Sequence, residues 1–202
     1  MSPKPDVSIE RKQQIFQAAM ACFSRQGYHL TKMDDIAAEA GLSKGSLYWY
    51  FKGKKKLFLS LFQEMMDPFG QTWETIVNDE NSSATEKLMA SLNFFSGELG
   101  EMATFFGVMM EAWAQTRHDD DVVKLLDEFY QPYLAMMTQI IEEGVANQEF
   151  QVESPEATAL VIMSLFDGIT LALGTGIVQF DWNLLVKAAG DLVLRGLGVE
   201  RN

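Results

Sequence analysis

Few side chains in this 202-residue chain could support acid–base, nucleophilic or metal chemistry. The sequence has two histidines, His29 and His118, and a single cysteine, Cys22. His118 precedes three aspartates at 119–121, but adjacent side chains cannot all point at one ion, and the triplet is a good helix cap. Cys22 falls on the apolar face of a predicted helix, where we expect an inert thiol. We therefore expect no metal, no cofactor, no catalytic residue and no enzymatic activity.

The run SKGSLYWYF, residues 43–51, offers binding contacts rather than reaction chemistry. Leu47 and the phenylalanine four residues later would pack inward on a short helix. Lys44 can then reach a guanine edge, and an exposed aromatic ring can contact a thymine methyl group or the wall of a DNA groove. The alternative for Trp49 and Tyr50 is packing against the rest of the protein, and we expect this for one of the two.

Three short helices are predicted to position this run. The first spans about residues 9–26, carries one apolar stripe and stops at Gly27. The second spans about residues 32–40 and is predicted to begin with a capping box formed by Thr31 and Asp34. A tight turn at Gly41 leads to the third helix, capped by Ser43. Two short helices joined by a brief turn that contains glycine form the helix-turn-helix pattern.

Three consecutive lysines, Lys54, Lys55 and Lys56, open a long fourth helix after Gly53. Cations at a helix N-terminus oppose the helix dipole, at about 0.3–1 kcal/mol each. A bound phosphate would reverse this effect, because main-chain N–H groups and ammonium groups would both face an anion. The alternative is a solvated lysine cluster; we favour the phosphate.

Charge is distributed unevenly along the chain. Residues 1–56 include ten basic and five acidic residues, a net charge of +5, whereas the remaining 146 include six basic and 23 acidic residues, a net charge of −17. A cationic end on an anionic body can bind a phosphate backbone with one surface while the body repels it. The overall charge of −12 therefore does not exclude nucleic-acid binding, although a random surface bias would give the same count.

The same N-terminal residues resemble the DNA-binding domain of the tetracycline-repressor (TetR) family. The similarity runs without gaps over about 50 residues and includes the signature Leu-Tyr-x-Tyr-Phe-x-x-Lys, present here at 47–54. Other matching residues are Arg11, Ala18, Ala19, Phe23, Gly27, Tyr28, Thr31, Asp35, Ile36, Ala37, Ala40, Gly41, Leu42, Ser43, Lys44, Gly45, Ser46, Leu57 and Phe58. The resemblance implies an all-helical homodimeric repressor whose small N-terminal head reads DNA and whose larger C-terminal body binds a small molecule.

Carried over residue by residue, the resemblance also implies a set of DNA contacts. The start of the second helix and residues 50 and 54 would bind phosphate. The first turn of the third helix would lie at the base edges, with Tyr48 and Trp49 at the groove wall. The predicted DNA-binding residues are Thr31, Lys32, Ser43, Lys44, Gly45, Ser46, Tyr48, Trp49, Tyr50 and Lys54.

The rest of the chain has the pattern of a helical body. Helices are expected over about residues 54–77, 84–99, 102–117, 120–147, 155–174 and 182–197, with no strand-like alternation of useful length. The predicted fold is therefore all-α. It has an N-terminal three-helix helix-turn-helix head, residues 1–53, and a larger helical ligand-binding and dimerisation body, residues 54–202.

Aromatic and methionine residues recur at helical spacing in the body and make up 25 of the 146 residues after residue 56. Most are expected to be core, but flexible Met-rich surfaces also adapt to varied apolar ligands. Glu111 could favour a cationic group, and Asn93, Gln115 and Gln139 could orient a polar one, although surface positions are the alternative for each. The predicted pocket residues are Phe62, Met66, Phe69, Phe105, Met109, Glu111, Trp113, Tyr133, Met137 and Phe166.

The helix predicted over 155–174 is apolar nearly all round, which is more apolar surface than one face of a small body buries. Together with the helix over 182–197 it is predicted to form an isologous dimer interface. Asp167 interrupts the apolar run without a base or metal partner in the sequence, so we expect packing or an interface hydrogen bond there. The predicted interface residues are Ile162, Phe166, Ile169, Leu185, Ala188 and Leu192.

The N-terminus lacks the apolar core of a signal peptide, and the uncharged stretch 168–180 is shorter than the about 20 residues of a membrane span. A single cysteine cannot form an intrachain disulfide, so nothing in the sequence requires an oxidising compartment. We expect a cytoplasmic, ligand-responsive transcriptional regulator without a membrane partner. Its expected form is a homodimeric repressor released from a near-palindromic double-stranded DNA operator by a small hydrophobic effector. The alternative is an activator, or a ligand-binding protein of the same fold that does not bind DNA.

Overall fold

The structure is a computed structural model that describes residues 7–97, 107, 110, 120–174 and 179–199. Within these ranges the chain is helical and has no strand, so the prediction of an all-α fold is confirmed. The helix predicted over 102–117 lies outside the described residues, apart from 107 and 110. No described helix is both long and apolar enough to cross a membrane. The helices are α1 (Val7–Leu30), α2 (Met33–Glu39), α3 (Lys44–Tyr50), α4 (Lys54–Val77), α5 (Ala84–Gly97), α6 (Asp120–Ala146), α7 (Pro155–Gly174) and α8 (Trp182–Gly196).

The described residues fall into two compact units. The first unit consists of those within Met1–Met66 and Gly107–Val123, and the second of those within Asp67–Phe106 and Lys124–Asn202. Helices α4 and α6 each contribute residues to both units. The boundary that we expect between residues 53 and 54 stays a prediction.

The core of the first unit joins α1, α2, α3 and the beginning of α4. Phe23, Tyr28 and Phe58 meet with ring centroids 5.2–6.3 Å apart, in the tilted and edge-on arrangements that aromatic pairs prefer. Because α4 supplies part of this core, its first turns are fixed to the helix-turn-helix. The fully buried core residues are Ile15, Ala19, Cys22, Ile36, Leu47 and Leu57.

Two predicted helix ends in this unit are wrong. Gly27 does not stop α1; its φ of 81° makes a kink, and helical residues continue to Leu30. Helix α2 is capped at Lys32 rather than Thr31, and the Asp35 carboxylate accepts a hydrogen bond from the Lys32 N–H at 2.9 Å, which lowers the pKa of Asp35. The cap moves by one position because the Thr31 hydroxyl donates instead to the Gly27 carbonyl at 2.7 Å.

The second unit is built from α5 to α8 and the end of α4. Trp73 is almost fully buried and meets Tyr133 edge-on, with ring centroids 4.4 Å apart. The nearly buried Lys87 of α5 lies 2.7 Å from the Glu143 carboxylate of α6. This pairing satisfies a cation that would be costly to bury alone. The Trp73–Tyr133 contact therefore joins α4 to α6, and the ion pair joins α5 to α6.

Candidate nucleic-acid interface

Helix α3 has a buried side and an exposed side. Ser43 caps it as predicted, since its hydroxyl accepts a hydrogen bond from the Ser46 N–H at 3.1 Å. Leu47 is fully buried, whereas Trp49 is 70% exposed. The other exposed residues of the helix are Lys44, Gly45, Ser46 and Tyr48. The residues predicted to meet base edges and the groove wall are thus accessible to a partner.

The sequence left open whether Trp49 and Tyr50 are exposed or packed against the protein, and the two residues differ in this respect. Tyr50 is half-buried and packs against the core of the first unit, while Trp49 does not. Their rings meet edge-on with centroids 4.7 Å apart. Tyr50 therefore helps to orient Trp49, which carries the larger exposed apolar surface.

The turn before α3 is braced from two sides. Gly41 has a φ of 63°, a conformation that glycine adopts without strain. The Leu42 N–H donates to the Ala37 carbonyl at 2.8 Å. The side-chain amide of Gln14 in α1 donates to the Ala40 carbonyl at 2.6 Å. These contacts fix the direction in which the chain enters α3.

Lys44, at the start of α3, is paired with Asp34 of α2. Its Nζ lies 2.8 Å from one carboxylate oxygen and 2.9 Å from the other, and 6.0 Å from the centroid of the Tyr48 ring. The hydrogen bond to Asp34 raises the pKa of Lys44. We did not predict this partner. The available signal was the inward spacing of Met33 and Ile36, which leaves Asp34 on the exposed side of α2.

The two predicted phosphate contacts at the start of α2, Thr31 and Lys32, have different surroundings. Thr31 is only 1% exposed, and its hydroxyl lies 2.7 Å from the Gly27 carbonyl and 3.3 Å from the Cys22 carbonyl. Its side chain would have to leave the core to bind phosphate. Lys32 is exposed at the N-terminus of α2 and remains a predicted phosphate contact.

Lys54, another predicted phosphate contact, is bound to main-chain carbonyls. Its ammonium group donates to the carbonyls of Tyr28 at 2.6 Å, His29 at 3.0 Å and Thr31 at 2.8 Å. It also lies 4.5 Å from the Tyr28 ring centroid. An ammonium group has three N–H donors, and these carbonyls use all of them. A phosphate hydrogen bond would require one to break, so Lys54 serves to join the end of α1 to the start of α4.

The other two lysines of the cluster share a carboxylate. Asp121, in the first turn of α6, lies 2.8 Å from Lys55 Nζ and 3.5 Å from Lys56 Nζ. The hydrogen bond from Lys55 lowers the pKa of Asp121. This anion offsets the cost of placing cations at the N-terminus of α4. The sequence did not indicate this ion pair, and phosphate binding by the cluster stays a prediction.

The predicted pocket residues are distributed over both units. Phe62 and Met66 are buried in the first unit, and Tyr133, Met137 and Phe166 are buried in the second. Phe69 is half-buried and packs against Phe94, with centroids 5.2 Å apart. The predicted pocket residues outside the described part of the chain are Phe105, Met109, Glu111 and Trp113. The pocket stays a prediction.

Three of the predicted interface residues lie against the core of a single chain, and the dimer interface itself stays a prediction. Ile162 and Phe166 are buried in the core of a single chain, and Ile169 packs against the same core. The opposite side of α7 exposes Leu160, Val161 and Leu171. On α8, Ala188 and Leu192 are exposed, and Leu185 is half-buried. Exposed apolar residues therefore lie on α8 and on the side of α7 that faces away from the core.

Cys22 and the aspartates that follow His118 are the other candidates for chemistry in this chain. Cys22 is fully buried, and burial raises the pKa of its thiol, which favours the unreactive protonated form. No group of three or more His, Cys, Asp or Glu side chains within the described ranges could hold a metal ion. His118 and the aspartate that follows it lie outside those ranges.

An exposed third helix on a braced helix-turn-helix, followed by a separate helical unit, defines the class of helix-turn-helix transcriptional regulators. Residues 15–61 match the family of bacterial regulatory proteins called the tetR family. Residues 84–197 match the C-terminal part of BetI-type transcriptional repressors. The chain belongs to the TetR family of transcriptional regulators.

Individual relatives are similar over most of their length. The fatty acid metabolism regulator protein of Bacillus subtilis is 28% identical, covering 91% of this chain and 94% of the relative. A solved regulator from Saccharomonospora viridis in complex with choline has a TM-score of 0.82 at 20% identity, covering 96% of this chain and 100% of that one. The regulator FadR from B. subtilis in complex with stearoyl-CoA has a TM-score of 0.74 at 24% identity, covering 91% and 98%. At these identities the solved structures show a shared fold.

Proposed function

We propose that this protein is a homodimeric repressor that binds a near-palindromic operator and is released by a small effector with an apolar chain. The observation that carries the proposal is the exposed side of α3, where Trp49 and Lys44 face solvent on one short helix. Exposing a tryptophan on a short helix is unfavourable without a partner, and the major groove offers both acceptor atoms and methyl groups.

The homodimer is supported by apolar residues on two helices of the second unit. Leu160, Val161 and Leu171 are exposed on α7, and Leu184 and Leu192 on α8. Exposed apolar surface of this kind is typical of an association surface. A two-fold dimer would place two copies of α3 in successive major grooves, about 34–36 Å apart.

Relatives support the class of effector. One relative is named as a regulator of fatty acid metabolism, and one structure of similar fold contains stearoyl-CoA. We therefore propose a long-chain acyl compound, with a quaternary amine such as choline as the alternative that another structure of similar fold raises. The effector acts only if it binds the released state more tightly, and about 1–3 kcal/mol of coupling is typical.

Selection from random duplex DNA tests this function directly. Purified protein is expected to enrich a near-palindrome whose half-sites are one helical turn apart, and stearoyl-CoA is expected to release it. Release by choline but not by stearoyl-CoA would reject an acyl compound as the effector and leave the repressor proposal standing. Failure to enrich any sequence would reject the DNA-binding proposal itself.

A further inference from the structure

We propose that Asp34 is a specificity-determining positioning residue: by holding the ammonium group of Lys44, it sets the direction from which Lys44 meets a base edge. This inference rests on the proposed function, because it requires α3 to enter a major groove. Asp34 lies on α2, outside the helix that is expected to read the bases.

The geometry restrains the lysine at its backbone, through α3, and at its ammonium group, through Asp34. Asp34 is in the first turn of α2 and Lys44 in the first turn of α3, and both helices are anchored in one core through Ile36 and Leu47. The ammonium nitrogen lies 2.8 Å and 2.9 Å from the two carboxylate oxygens, with the Tyr48 ring 6.0 Å away. A lysine stem is otherwise flexible, so this pairing restricts where its remaining donors point.

The pairing leaves the lysine able to bind a base. An ammonium group has three N–H donors, and two carboxylate oxygens use at most two of them. Both side chains are more than half exposed, so the pair lies in solvent and contributes little to folding. Because Asp34 offsets the charge of Lys44, the ammonium group attracts phosphates less strongly. Its main contribution is then a hydrogen bond donated in one direction, toward a base edge.

Four proteins test this role: wild type, Asp34→Ala, Lys44→Ala and the double variant. Each is measured against the selected operator, operators changed at single base pairs, and unrelated duplex DNA. Asp34→Ala should bind unrelated DNA more tightly, because an anion is removed, yet lose about 3- to 10-fold of its discrimination at the base pairs that Lys44 reads.

The double-mutant cycle gives a second signature. Lys44→Ala should lose the same discrimination and bind unrelated DNA most weakly of the four, because Asp34 is left unpaired beside the phosphates. Removing Asp34 as well should restore affinity for unrelated DNA without a further loss of discrimination. Additive losses of discrimination would overturn the coupling.

Glu39→Ala provides the matched control. Glu39 pairs with Arg25 at 2.9 Å in the same unit, so its removal makes the same charge change without contacting Lys44. This control should shift all DNA affinities together and leave base preference unchanged. If Asp34→Ala also shifts all DNA affinities together and leaves base preference unchanged, the role of Asp34 is overturned while the proposed function stands. A wild-type protein with no base preference would overturn the proposed function and this inference with it.

Discussion

The Nζ atom of Lys54 lies 2.6 Å from the carbonyl oxygen of Tyr28, across the junction between the end of α1 and the start of α4. The same ammonium group also holds the carbonyls of His29 and Thr31. Residues after the kink in α1 are thus bound to a helix that contributes to both compact units. This junction is a fixed part of the first unit.

Replacing Lys54 should therefore reduce stability. We expect Lys54→Ala to lower the free energy of unfolding by about 1–3 kcal/mol, because three carbonyls lose a charged donor. Urea unfolding followed by circular dichroism measures this. Lys52→Ala is the control, since the exposed Lys52 makes only a 3.3 Å contact to the Tyr48 carbonyl and should change stability by less than about 0.5 kcal/mol. Equal effects of both substitutions would contradict the role of Lys54.

Trp49 and Leu47 should separate recognition from folding. Trp49→Ala removes an exposed side chain, so we expect an unchanged melting temperature and a loss of operator affinity of about 5- to 150-fold. Leu47→Ala removes a fully buried side chain and should lower stability by about 2–5 kcal/mol. Calorimetry and fluorescence anisotropy measure the two properties. Unchanged DNA binding in Trp49→Ala would refute the exposed side of α3 as the contact surface.

The proposed dimer surface predicts different effects for two exposed valines. Val161→Asp places a charge among the exposed apolar residues of α7 and should convert the protein to a monomer. Val145→Asp makes the same change on α6, also in the second unit, and should leave the dimer intact. Light scattering at micromolar concentration distinguishes them. A wild-type monomer, or a dimer that survives Val161→Asp, would count against this surface.

Glu149 should make stability depend on pH. Burial raises its pKa, but hydrogen bonds from the Thr85 and Ala84 N–H groups, at 2.9 Å and 3.1 Å, outweigh burial and lower the pKa overall. A carboxyl whose pKa falls on folding stabilises above its unfolded pKa, and this stabilisation is lost as pH falls through the folded value. We expect Glu149→Gln to cost about 1 kcal/mol at neutral pH.

The pH series provides the check on that prediction. The difference between wild type and Glu149→Gln should shrink as the pH falls below the ordinary glutamate pKa of about 4.3. Urea unfolding between neutral and acidic pH measures this difference. A difference that does not change with pH would show that the carboxylate charge plays no part in capping α5.

Local signals in the sequence located most of the helices. Helices α4 and α7 begin and end at the predicted residues, because Gly53 precedes α4 and Pro155 begins α7. The turn at Gly41 and the capping preference of serine likewise located the start of α3 and its cap at Ser43. These features depend on residues close together in the chain, so local pattern is sufficient to find them.

Contacts between distant residues could not be read in the same way. Lys54 reaches carbonyls 23 to 26 residues earlier, and Lys44 reaches a carboxylate ten residues earlier. The sequence shows that these lysines are charged but not which acceptors the fold brings to them. On α7, apolar residues on all sides removed the periodicity that would separate buried Ile162 from exposed Val161.

Equilibrium binding of the purified protein to its selected duplex, followed by fluorescence anisotropy as salt is raised, tests the central claim. We predict that the selected duplex binds at least about 10³-fold more tightly than unrelated DNA. We also predict that affinity falls steeply, by about 10³-fold or more, between 50 and 200 mM salt. If the protein binds no duplex at low salt in the absence of effector, the exposed side of α3 is not a DNA-reading surface.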